Sequence, residues 1–269
     1  MKRLIDKVKI PSPHPRISLY LITYWSTGLR VKGYLAIPDG EKKLPGLLYL
    51  RGGIKNVGMV RVQRLIQWAA EGMIVLAPFY RGNKGGEGNE DFCGDDREDA
   101  FAAFDLLQSV PEVECESVHI LGFSRGGVMA LQTALARPQA SSVTCWNGVS
   151  DMVLTYEERV DLRRMMKRVI GGTPNKYPER YRWRTPLHEL GELKPRILLI
   201  HGEKDEHVSL AHALLVEQAC RQAGKEVATW YFPQYTHHFP PKEQRVILSE
   251  AARWMKGKEK DKTKKSSGL

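Results

Sequence analysis

The sequence predicts an α/β fold in which a mostly parallel central sheet carries helices on both faces, and three observations predict it. Strand-like and helix-like runs alternate from residue 44 onward. The central strand-like runs are apolar on both faces. A single serine stands between glycines, GFSRGG at 122–127, where one such strand gives way to one such helix. Alternation implies βαβ units around a parallel sheet, and two-sided apolarity implies burial beneath helices on each side.

Two strand-like runs open the fold, ISLYLITYW (17–25) and RVKGYLAI (30–37), joined by STGL as a hairpin and closed by Pro38, Asp39 and Gly40. The alternation then runs through strand LPGLLYL, helix VRVQRLIQWAAEG, strand MIVLAPF, helix DDREDAFAAFDLLQSV, strand SVHILGF, helix RGGVMALQTALA and strand SSVTCW. Regularity breaks at 151–195. There a helix over YEERVDLRRMMKRVI precedes GGTPNKYPERYRWRTP, a stretch rich in proline, glycine and aromatic residues that reads as a lid-like insertion over the sheet. Strand RILLIHG, helix SLAHALLVEQACRQAG, strand EVATWYF and a closing helix from Pro241 to Lys256 complete the pattern.

A chain of 269 residues with 42% hydrophobic and 27% charged residues has the composition of a globular protein with a full core. No linker divides it, so residues 1–256 are expected to form one domain. The tail KGKEKDKTKKSSGL is expected to be disordered over 257–269 and holds part of the net charge of +10. That placement argues against a nucleic-acid partner. The N-terminal MKRLIDKVKIPSPHPR leads into no apolar signal-peptide core, and no run has the length of a membrane span. A cytoplasmic location without membrane contact is the expectation. Cys93, Cys115, Cys145 and Cys220 form no CxxC or Cys/His cluster, so they are read as free thiols, with no metal and no cofactor.

The chemistry is sought at GFSRGG. A serine on a sharp strand-to-helix turn needs neighbours without side chains, which Gly122 and Gly126 provide, so Ser124 is the candidate nucleophile. Its hydroxyl needs a base and a group to orient that base, and in the α/β-hydrolase arrangement these follow in the order serine, acid, histidine. After strand RILLI the segment HGEKDEHV offers Asp205, with Glu203 and Glu206 as competitors. After the last strand PQYTHHFP offers His237 and His238. His201 and His207 precede that strand and fit the order poorly, and His119 lies inside a strand as a packed residue. An oxyanion hole needs two donors. The backbone N–H of Arg125 is one, and RGGIKN after LLYL supplies the other, Gly53 before Gly52.

The chain resembles the catalytic domain of the prolyl oligopeptidase family of serine hydrolases, which includes acylaminoacyl peptidases and related esterases. The resemblance covers about residues 25–255 and rests on GLRVKGYLAIP, YLRGG, APFYRGNKGGEG before the acidic helix, GFSRGG, GGTPNKYPERYRWRTPLHEL, IHGEKDEHV and HHF. It implies an α/β-hydrolase fold and places the acid at Asp205, because the family's HG-x-x-D-x-x-V matches His201, Gly202, Asp205 and Val208. Its final H-x-F implies His237 as the base with His238 as spacer. The family writes YGG or HGG where this chain has RGG, so the second oxyanion donor is either the Gly53 amide or a side chain.

Peptidases of the family usually carry a β-propeller that restricts substrate size, and the forty or so residues before RGG do not accommodate one. Access is then expected to be limited by the 151–195 insertion, whose basic helix carries Arg159, Arg163, Arg164, Lys167 and Arg168. The expected activity is cleavage of an amide or ester bond through Ser124, His237 and Asp205, on short peptides or acylated amino acids ahead of small esters. A non-catalytic binding protein on the same fold is the reading of another class. Assembly into homo-oligomers is open.

Overall fold

The computed structural model describes residues 3–40 and 42–257. Nine strands form one sheet in the order β1-β2-β3-β5-β4-β6-β7-β8-β9. The first three, β1 (Leu4–Ile10), β2 (Ile17–Ser26) and β3 (Leu29–Pro38), are an antiparallel meander, and β3 pairs antiparallel with β5 (Ile74–Pro78). The rest is parallel: β4 (Leu44–Leu50), β6 (Val113–Phe123), β7 (Ser142–Trp146), β8 (Arg196–Gly202) and β9 (Val227–Phe232).

Strand β1 is absent from the sequence expectation. Its segment LIDKVKI leaves five of seven positions exposed, so it lacks the apolar face by which strands are recognised. It is an edge strand whose lysines discourage further pairing.

Alternate residues of each strand feed two cores. Leu48 and Leu50 of β4 join the cluster built with α2 (Arg97–Gln108), α3 (Gly126–Ala136) and α7 (Leu210–Gln222), while Leu47 and Tyr49 join the one under α1 (Val62–Ala69) and α8 (Pro241–Met255). Period-two alternation with helices on both sides is the reason these strands read as continuously apolar.

The insertion differs from the single helix expected over 156–170. Asp151 caps a helix that starts earlier, α4 (Met152–Glu158), by accepting the N–H groups of Val153 and Leu154 at 2.7 and 3.0 Å. Arg159 leaves helical geometry (φ −102°, ψ 75°), a short 3₁₀ turn follows, and α5 (Arg163–Ile170) begins afresh before the left-handed Gly171. A five-residue helix α6 (Pro178–Arg182) completes it. Arg164, Lys167 and Arg168 are exposed. The tail from 258 lies outside the described residues. Among the described residues no helix is long and apolar enough to cross a membrane.

Strand order fixes where a site can form. The connection from β4 through α1 returns to β5 on one side, whereas that from β5 through α2 crosses to β6 on the other. The carboxyl ends of β4 and β6 therefore lie side by side with their loops parting, which is where open α/β sheets bind ligands. Leu50 pairs with Gly122 at that point, so the RGG loop and the GFSRGG turn emerge together.

Candidate active site

Ser124 has φ +57°, a left-handed conformation that is costly for a residue with a side chain, by about 1–3 kcal/mol. Packing holds it there. A Cβ on Gly122 would lie 2.0 Å from the Gly126 carbonyl oxygen, and one on Gly126 would lie 2.1 Å from that of Leu50. The glycines are therefore demanded by backbone approach as well as by the turn. Ser124 donates its N–H to Trp146 and its carbonyl accepts from Gly127 and Val149. Its Oγ makes no hydrogen bond among the described residues.

The RGG loop is packed onto this turn. A Cβ on Gly52 would meet Ser124 Cβ at 2.6 Å and Oγ at 3.1 Å, and Gly53 has φ +64° with no room for a side chain beside Val57. Arg51 turns away from the serine. Its buried guanidinium donates to the carbonyls of Phe79, Gly52 and Val57 and to Glu90 Oε1 at 2.8 Å.

Glu90 also accepts from Arg125 Nη2 at 2.7 Å and, through Oε2, from the Lys55 N–H at 2.5 Å. One buried carboxylate thus joins the RGG loop to the residue after the serine. Asp96 completes the group at 3.0 Å from Arg125 Nη1, and burial pushes its carboxyl up to about 7 despite that guanidinium. The sequence reading gave Glu90 and Asp96 no role. Their only signal was membership of the four acids in the segment NEDFCGDD, with nothing to say which faced inward.

Asp205 and His237 come together from the loops after β8 and β9. Asp205 Oδ2 accepts from His237 Nδ1 at 2.7 Å, and Oδ1 accepts the N–H groups of His207 and Val208 at 2.8 and 2.9 Å. Burial would raise the Asp205 carboxyl, but His237 and the two backbone donors outweigh it and hold it below the usual range. Asn147, at the end of β7, braces both loops. Its Oδ1 accepts from Gly202 N and its Nδ2 donates to the His237 carbonyl at 2.8 Å.

The competitors do not make the acid–histidine bond. Glu203 and Glu206 are exposed. His201 is buried and bonds through Nε2 to the Val208 carbonyl, with burial lowering its pKa. His207 and His238 are exposed and pack their rings about 5.1 Å from that of His237. His119 is packed against Ser142, and burial takes it down to about 4.

A cavity of about 430 Å³ joins Ser124, His237, Gly53 and Arg125. The insertion contributes Thr155, Arg159, Leu162 and Met165 to it, and the opposite wall comes from β4, α1 and the start of α8. Among the described residues no group of three or more His, Cys, Asp or Glu is placed to hold a metal ion. None of the four cysteines is paired.

This sheet, with an elbow serine at its switch point and an acid–histidine pair on later loops, is an α/β-hydrolase fold. Residues 60–261 match the prolyl oligopeptidase family. The chain is 57% identical over 256 residues to the uncharacterized peptidase YtmA of Bacillus subtilis, covering 95% of this chain and 100% of that protein. It belongs to the prolyl oligopeptidase family and is a serine hydrolase. Among solved structures, the acylaminoacyl peptidase of Pyrococcus horikoshii superposes with TM-score 0.75 at 22% identity, over 96% of this chain and 44% of that one. The acetyl xylan esterase of Paenibacillus sp. R4 superposes with TM-score 0.71 at 18% identity, over 94% and 88%. The chain thus spans less than half of the acylaminoacyl peptidase and most of the esterase.

Proposed function

We propose that Ser124, His237 and Asp205 act as a triad that hydrolyses an amide or ester bond through an acyl-enzyme. The observation that carries this reading is the 2.7 Å bond from His237 Nδ1 to a buried, ionised Asp205, beside a cavity that Ser124 also lines. With the Nδ1 proton directed at Asp205, Nε2 is the basic nitrogen.

In this mechanism Ser124 Oγ adds to the substrate carbonyl while His237 Nε2 takes its proton. The tetrahedral oxyanion is held by the amides of Arg125 and Gly53. Collapse expels the leaving group, which takes the proton from His237, and water then repeats the sequence to release the acid. The commitment of the Arg51 guanidinium to Glu90 and three carbonyls supports the Gly53 amide over a side chain as second donor. The mechanism requires His237 Nε2 to come within hydrogen-bonding reach of Ser124 Oγ once substrate is bound, a contact that is often long in ligand-free hydrolases.

Short peptides or acylated amino acids are the proposed substrates, supported by the peptidase relative. Small esters are the second reading, favoured by an esterase neighbour of similar size. The insertion would limit access through Thr155, Arg159, Leu162 and Met165.

A fluorophosphonate probe tests the triad. Labelling of the wild type and none of Ser124→Ala is expected; equal labelling of both would sink the assignment. The ratio of kcat/KM on an aminoacyl anilide to that on a short nitrophenyl ester then separates the two substrate classes.

A further inference from the structure

Among the described residues the cavity wall contains Arg61, Arg64, Arg125 and Arg159 and neither aspartate nor glutamate. Two of these cations are already neutralised, Arg125 by Glu90 and Asp96, and Arg159 by Asp161. Arg61 and Arg64 have no carboxylate partner among the described residues. They lie one turn apart where α1 begins, Arg61 exposed and Arg64 half-buried.

Their surroundings are as unspent as they are. Tyr49, on the neighbouring strand, is nearly buried and its hydroxyl makes no hydrogen bond among the described residues. The buried indole N–H of Trp68, one turn beyond Arg64, has no acceptor either. Burial lowers the Arg64 guanidinium, Tyr49 opposes that, and Arg61 adds to it; Arg61 also acts on His238. The two arginines, Tyr49 and His238 therefore share one neighbourhood on the histidine side of the cavity. A cation held partly out of water without an anion is costly unless a ligand supplies one.

We propose that Arg61 and Arg64, with the Tyr49 hydroxyl, form a carboxylate-binding subsite of the cavity, so that preferred substrates carry a free carboxylate. The inference rests on Ser124 hydrolysing the substrate bound there. The carboxylate belongs either to the acyl part or to the leaving group, as in a peptide or acylated amino acid with a free C-terminus.

The test uses the full chain and two matched ester pairs. 4-Nitrophenyl hemisuccinate against 4-nitrophenyl butyrate places the charge on the acyl side. 4-Acetoxybenzoate against its methyl ester places it on the leaving group. A kcat/KM preference of about tenfold or more for the anion in one pair is expected, the size of one charge-assisted contact. The ratio should fall toward one in Arg64→Met and in Arg61→Gln, and Arg64→Lys should restore part of it. Equal rates within both pairs, or a preference that survives both neutral variants, would overturn the subsite.

If none of the four esters is turned over, the failure lies with the hydrolytic reading, and binding decides the subsite. Calorimetric titration of Ser124→Ala with N-acetyl-phenylalanine should show tighter binding than with its amide, and adding Arg64→Met should remove the difference. No difference in Ser124→Ala would overturn the proposal.

Discussion

Two pairs of arginines lie close to Ser124, one buried behind it and one on the cavity wall, and their partners differ. Behind the serine, Arg51 and Arg125 are buried and share Glu90, and Arg125 also donates to Asp96. At the α1 wall, Arg61 and Arg64 face the cavity with no anion among the described residues. The first pair is scaffold: it ties the RGG loop to the turn that carries Ser124. The second is left for something that is not part of the protein. A buried cation with its counter-charge supplies rigidity, and one without supplies affinity.

The largest expected effect breaks the chemistry that both pairs serve. Ser124→Ala or His237→Ala should lower kcat/KM by roughly 10³-fold or more, measured on whichever ester the wild type turns over. The two changes combined should cost little more than either alone, because the residues act as one unit.

Next comes the scaffold pair. Glu90→Gln keeps the shape but leaves Arg51 and Arg125 facing each other without their shared anion. Loss of one partner from a buried charge group costs about 3–5 kcal/mol, so a marked fall in the thermal midpoint is expected. Glu90 bonds to Lys55 and Arg125 but not to Ser124, so its expected effect on catalysis is one of positioning. The variant should therefore lose kcat by roughly tenfold or more with KM little changed, as for a weakened oxyanion donor. An unchanged kcat in folded Glu90→Gln would remove that role.

The contrast also shows what a sequence can reveal. The loops that carry Asp205 and His237 were legible because each follows a strand end in a fixed order, while the choice of Asp205 over Glu203 and Glu206, and of His237 over His238, was what the family resemblance implied. Ser124 was legible because backbone crowding forces glycines at fixed offsets. Glu90, Asp96 and Asn147 were not, because their partners are backbone atoms and guanidiniums far away in the chain, and no period links them. Strand β1 and the break at Arg159 escaped for a related reason: one strand buries little, and one helix is set by the Asp151 cap rather than by its apolar stripe.

Asp96 offers a subtler break. Its carboxyl titrates near 7 in the folded chain, above its unfolded value near 3.9, so the folded state binds the extra proton between those pH values. Its contribution to stability is fully present below about pH 4 and is lost as pH rises toward 7. Asp96→Asn, which cannot lose a proton, should lack that decline. Thermal midpoints of wild type and variant compared from pH 4 to 8 should diverge with rising pH in the variant's favour. Parallel curves would mean that Asp96 stays ionised beside Arg125.

The smallest effect sharpens the comparison most. Arg64→Met removes a half-buried cation that has no carboxylate partner among the described residues, so none of them is left uncompensated. The methionine keeps most of the aliphatic stem one helical turn from Trp68, and the desolvation cost of the guanidinium disappears with the charge. Stability should change by less than about 1 kcal/mol, and in the stabilising direction if it moves at all. Glu90→Gln and Arg64→Met thus form a matched pair, one charge removed from behind Ser124 and one from the cavity wall. Denaturant midpoints with unchanged slopes would measure both. A loss at Arg64 as large as that at Glu90 would mean that Arg64 is structural, and the two pairs would no longer differ in kind.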